Sequence, residues 1–152
     1  MLTVVAPAEL LTPEQELELS NRLAQWRRQP LSTEELAELL PKVSDPALAL
    51  AIGERLGMAG PGAFALIQPL CQQLELSPAL IRALSICHHP DAKQQLLAWL
   101  PQAGDLEPQV LRALSCWGNG IDLSIITNAL DAPGQQHRLA GIELLTFRCR
   151  RI

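Results

Sequence analysis

Apolar residues return every three or four positions along most of this chain, in short runs separated by proline, glycine and capping residues. That spacing predicts α-helix, because side chains three and four apart share one helix face. The clearest run is 44–67. Asp45 is suited to an N-cap, since its carboxylate can accept from free first-turn amides. Pro46 fits the first helical position, where it has no hydrogen bond to lose. Leu48, Ala51, Ile52, Arg55 and Leu56 follow at helical spacing. Gly57 and Gly60 are expected to end the helix, and Pro61 cannot continue it. Ala63, Leu66, Ile67 and Leu70 supply the apolar stripe of a second helix. Two short antiparallel helices bury one face on each other and leave a further face that needs another pair.

The pattern recurs. Ser77-Pro78 and Glu107-Pro108 repeat the cap-proline pair at intervals of 32 and 30 residues. Two positions after each proline stands Leu48, Leu80 or Val110. Five after it stands Ala51, Ala83 or Ala113, and six after it Ile52, Leu84 or Leu114. A small residue at one fixed place lets helices approach, and the large one beside it fills the layer. Self-similarity at this period is the mark of a helical solenoid.

Outside these repeats, Thr12-Pro13-Glu14-Gln15 predicts a capping box opening a helix to about Arg28, with Leu17, Leu19, Leu23 and Trp26 as its apolar side. Ser32-Thr33-Glu34-Glu35 opens another by the same logic, with Leu36, Leu39 and Leu40 facing inward. Further helices are predicted near 46–57, 62–75, 78–88, 90–101, 107–118, 121–131 and 135–149. Pro69 falls inside one of them and is expected to kink it. In the last, Leu139, Ile142 and Leu145 are expected to cover the preceding pair.

Asp45-Pro46, Ala51, Leu56-Gly57, Gly60 and Ala63 resemble the HEAT-like repeat, in particular the short repeats of phycobiliprotein lyase subunits. The resemblance is good over one repeat and fair over 77–131. It departs where the family has an arginine after the branched position, for this chain has Ala49; Arg82 and Arg112 stand at a later place. It implies a curved helical scaffold that binds another protein, and it carries over no catalytic residue.

Composition narrows the choice. A chain of 152 residues, 48% hydrophobic and 18% charged, can bury a core. With 3% aromatics and no tyrosine, that core must be mostly Leu, Ala and Ile. The net charge is −4. Residues 1–76 hold 10 acids and 5 bases (−5), and the remainder 6 acids and 7 bases (+1). No dense basic face argues for nucleic acid. Residues 1–11 are apolar but too short to span a bilayer. Cys71, Cys87, Cys116 and Cys149 form no Cys-x-x-Cys pair. The first three lie in apolar helical stretches and are expected to be core residues of a reducing, cytoplasmic protein.

Candidate chemistry is sparse. Cys87-His88-His89 has ligand-type side chains, but neighbours on a helix point about 100° apart and cannot all meet one metal. A cysteine nucleophile would need a histidine and an orienting acid, and no local motif supplies them. Gly57-x-x-Gly60-x-Gly62 follows a helix and not a strand, so it is no dinucleotide loop. Asp122 and Asp131 read as a cap and a helix end. Trp99, Arg112 and Trp117 are residue types favoured at interface centres. Arg148, Arg150 and Arg151 form a basic C-terminal cluster that could suit the helix dipole or steer an acidic partner.

The expected architecture is all-α: a right-handed α-solenoid of HEAT-like helix pairs, with about eight or nine helices in a single domain. An N-terminal arm (1–11) and capping helices (12–43) precede the repeats (44–131), and a terminal helix with a basic tail (132–152) follows. The expected role is non-enzymatic: a protein–protein interaction scaffold or assembly factor without metal or cofactor, capable of weak self-association. The alternative is a phycobilin lyase-like or chaperone-like subunit handling a cofactor.

Overall fold

The structure is a computed structural model that describes residues 9–149. Among these residues the chain is helical and has no strand. Nine α-helices follow in order: α1 (Pro13–Ala24), α2 (Thr33–Leu39), α3 (Pro46–Met58), α4 (Phe64–Gln73), α5 (Pro78–Cys87), α6 (Pro90–Trp99), α7 (Glu107–Leu114), α8 (Leu123–Leu130) and α9 (Gln135–Cys149).

The helix starts follow from local chemistry. At α1, Gln15 N–H donates to Thr12 Oγ1 (3.2 Å) and Thr12 N–H to Gln15 Oε1 (2.9 Å), a complete capping box. Ser32, Asp45 and Ser77 accept from the amides of Glu35, Leu48 and Leu80. Glu107 departs from this pattern. It lies inside α7, because the 3-10 turn Gly104–Leu106 already presents helical geometry and Leu106 occupies the cap position without a side-chain bond. Pro69 lies inside α4, on its exposed side.

Several ends differ from the expected ones. α1 stops at Ala24, where the Gln25 amide bonds back to Asn21 and Arg22. α7 stops at Leu114, and the chain tightens into a 3-10 segment, Ser115–Gly120, broken at Gly118 with φ 54°. α4 is likewise preceded by a 3-10 turn, Pro61–Ala63. Gly57 does not end α3. It is buried within the helix, and Gly60, with φ 89°, makes the break instead.

The odd-numbered helices pack in chain order: α1 on α3, α3 on α5, α5 on α7, α7 on α9. The even-numbered α2 packs against α4. The tightest of these contacts, α3 on α5, has a clear cause. A Cβ at Gly57 would lie 2.8 Å from the Ala83 carbonyl oxygen, and one at Gly53 would overlap the Ala79 carbonyl. Missing side chains let the two backbones meet. Around this contact Ile52, Leu56, Leu80 and Leu84 have no exposed surface, and Val110 and Leu114 continue the layer. Burying each such side chain contributes roughly 1.5–3 kcal/mol. Ala83 and Ala113 are buried, whereas Ala51 is only half-buried because Gly53 and Gly57 take the close-contact role.

Two expected faces are corrected. Leu17 is 64% exposed, since α1 turns only Leu19 and Leu23 inward. On α9, Leu139, Ile142 and Leu145 are exposed (41, 53 and 38%), and Ala140, Gly141 and Leu144 are buried in their place. A Cβ at Gly141 would sit 3.0 Å from the Leu130 amide nitrogen. Close approach to α8 at Gly141 therefore sets which face turns inward, with Ala140 and Leu144 beside it, and leaves Leu139, Ile142 and Leu145 outside. Cys116 is also exposed, because the 3-10 segment rotates it off the α7 face and Ser115 takes the buried place.

Candidate functional site

Cys87, His88 and His89 occupy the α5–α6 turn, and each has a structural occupation. Cys87 is buried and donates its S–H to the Leu84 carbonyl (3.3 Å). Burial holds its thiol above the usual range. His88 adopts the left-handed conformation (φ 54°) that ends α5. Its ring stacks on Trp117 at 4.8 Å between centroids. His89 caps α6, its Nδ1 accepting from the Asp91 amide at 3.0 Å, and its ring stacks on Phe64 at 4.6 Å. Among the described residues, no group of three His, Cys, Asp or Glu gathers as a metal site.

Cys71 is the other buried thiol. Burial pushes it up to about 12, and the neighbouring Cys87 adds to the effect. A thiol held protonated is a poor nucleophile. Cys116 is placed differently, sharing a hydrogen bond of 3.4 Å with Ser85 Oγ.

Four of the residues singled out for binding are described. Arg112 lies on α7 facing α9, with Nη2 donating to Gln136 Oε1 (3.1 Å) and Nε 3.8 Å from Glu143. His137 and Glu107 form a second α7–α9 pair at 3.4 Å. Arg148 Nη1 donates to the carbonyls of Asn119 and Ile121. It thereby clamps the end of α9 to the turn that carries Trp117. Lys93 reaches the same turn, donating to the Gly120 carbonyl at 3.5 Å. Trp117 and Arg148 are thus brought to one place, with Arg112 nearby in sequence on α7. Trp99 stands apart at the end of α6, partly buried against the core. Arg150, Arg151 and residues 1–8 of the N-terminal arm lie outside the described residues.

Sequence reasoning did not single out a groove of about 480 Å³ between the starts of α3 and α5. Leu40, Val43, Pro46, Ala49, Leu74 and Pro78 give it apolar walls, and Glu75 is the one ionisable group lining it. Its signal was present in the chain. Pro46 and Pro78 belong to the recurring cap-proline pairs, and packing α3 on α5 sets those two starts side by side. The volume falls in the range of small-molecule clefts.

No described helix is long and apolar enough to cross a membrane. Comparison of the chain with protein-family models, with curated proteins and with solved structures returns no match.

Proposed function

We propose that this chain is a helical scaffold that binds another protein, with the groove between the starts of α3 and α5 as its principal contact. The observation that carries the proposal is the groove itself: open, apolar-walled and built from the ends of well-capped helices. The chain-ordered packing of α3, α5, α7 and α9 supports a solenoid of HEAT-like pairs as its frame. Exposed parts of Trp99, Arg112 and Trp117 are proposed as supplementary contacts; an acidic partner reaching Arg112 or Arg148 would compete with their bonds to Glu143 and to the Asn119 and Ile121 carbonyls. The proposed setting is the cytoplasm, where free thiols persist.

The test is affinity capture from the native cell with the wild-type chain and with Ala49→Arg, which fills the groove with a charge. A partner retained by the first and lost by the second, at unchanged helicity, supports the scaffold role. Equal retention by both removes the groove from it.

The alternative, a subunit that handles a tetrapyrrole, draws on the same groove. Glu75 is placed on its wall, where a carboxylate could meet pyrrole nitrogens. Titration with a linear tetrapyrrole separates the two readings. A red-shifted, saturable absorption band that Ala49→Arg abolishes favours cofactor handling. An unchanged spectrum discards it.

A further inference from the structure

We propose that copies of this chain associate head to tail, with the exposed side of α9 in one copy seating α1 of the next. Such self-association presupposes the scaffold role proposed above and supplies one partner for it, a second copy. Seven large apolar side chains are exposed among the described residues, and six lie at the two ends of the row of odd-numbered helices. Leu10 and Leu17 mark the α1 end. Leu123, Leu139, Ile142 and Leu145 mark the α9 end.

The ends differ from the interior for a physical reason. α5 is covered by α3 and α7, and α7 by α5 and α9. On α1, Leu17 stands two positions from Leu19 and so about 200° round the helix from the buried side. On α9, Ile142 is likewise two positions from both Ala140 and Leu144, which are buried. Each terminal helix therefore turns its exposed apolar residues away from the row, where another helix would continue it.

Charge selects the pairing. α1 carries Glu14, Glu16 and Glu18 against Arg22, a balance of −2. α9 carries Arg138 and Arg148 against Glu143, a balance of +1. Head-to-head contact would oppose glutamates, and tail-to-tail contact would oppose arginines. Head-to-tail contact brings Glu14 and Glu18, beside Leu17, toward the basic α9, where Arg138 also holds the Ala132 and Pro133 carbonyls through Nη1. The apolar area offered by these few half-exposed side chains is well short of the ~800 Å² per partner of a stable interface. The association is therefore weak and salt-sensitive, and because the contact is heterologous it does not stop at a dimer but adds further copies, as an open chain or a closed ring.

The test is sedimentation of the full chain with two variants at exposed positions, Leu17→Glu to block the head and Ile142→Glu to block the tail. Circular dichroism checks that both keep the parental helicity. The wild type is expected to sediment faster as concentration rises at low salt, and less so at high salt. Each variant alone is expected to remain a monomer. Their equal mixture has one intact head and one intact tail, so its weight-average mass approaches twice that of either variant and stops there. A wild type that is monomeric at every concentration overturns the proposal. So does Leu17→Glu dimerising alone, which would mean tail-to-tail contact. A monomeric wild type that still retains a groove-dependent partner leaves the scaffold role standing.

Discussion

Gly57 of α3 lies so close to Ala83 of α5 that a Cβ at position 57 would stand 2.8 Å from the Ala83 carbonyl oxygen and 2.8 Å from Ile86 Cβ. Helix propensity alone favours alanine there by about 1 kcal/mol. The contact reverses that preference, because the new methyl meets backbone that cannot swing aside. Gly57→Ala is expected to destabilise the chain by about 1–3 kcal/mol net, as overpacking does. Gly62 faces open space, so Gly62→Ala is expected to be neutral or to stabilise by up to about 1 kcal/mol. Urea unfolding of both variants checks the pair. Equal midpoints would mean that α3 and α5 do not meet through glycine.

Arg148 joins α9 to the 119–121 turn through two carbonyls. Arg148→Ala is expected to lose about 1–3 kcal/mol, since it leaves those acceptors without a charged donor. Both bonds leave Nη1, and an ammonium can also donate twice, but from a shorter stem, so Arg148→Lys should recover only part of the loss. Thermal melts decide it. If Arg148→Ala melts like the parent, the clamp contributes nothing and the side chain is available for a partner.

His89 combines a cap and a ring stack. His89→Ala removes both and is expected to cost on the order of 1–2 kcal/mol. His89→Asn keeps a neutral capping acceptor beside Asp91, whose carboxylate lies 3.9 Å from His89 Nδ1, and loses the stack on Phe64, so its midpoint should fall between the other two. An asparagine variant no better than alanine would show that the Asp91 amide bond is energetically idle.

Cys71 gives a pH dependence. Its folded thiol titrates at about 12, against 9.0 for the free group. The folded chain therefore holds its proton where the unfolded chain releases it. The stabilisation is complete below pH 9.0 and is lost progressively from there toward about 12. Alkaline titration of stability should show a steeper decline for the wild type than for Cys71→Ala. At neutral pH a thiol reagent should modify exposed Cys116 and Cys149 quickly and Cys71 only on unfolding. Rapid native-state labelling of Cys71 would contradict its burial.

The chain's own pattern determined the helices and most of their starts. Capping and proline act within one turn, so Thr12, Asp45 and Ser77 can be read without knowledge of the fold. So can the inward positions of α5 and α7, and Leu48, Ile52 and Leu56 of α3, because a helix at regular spacing repeats its buried face; the close-contact place on α3 falls to Gly53 and Gly57 and not to Ala51. Tertiary structure decided the rest. Whether Gly57 ends a helix or lies within one depends on what packs beside it, and only α5 supplies that answer. The face of α9 depends on the fold for the same reason. Leu139, Ile142 and Leu145 are a strong burial signal in isolation, but the approach of α8 to Gly141 turns the face of Ala140, Gly141 and Leu144 inward instead. The groove also required the fold. Pro46 and Pro78 are 32 residues apart in sequence, and it is the glycine-mediated contact of their two helices that brings those starts together.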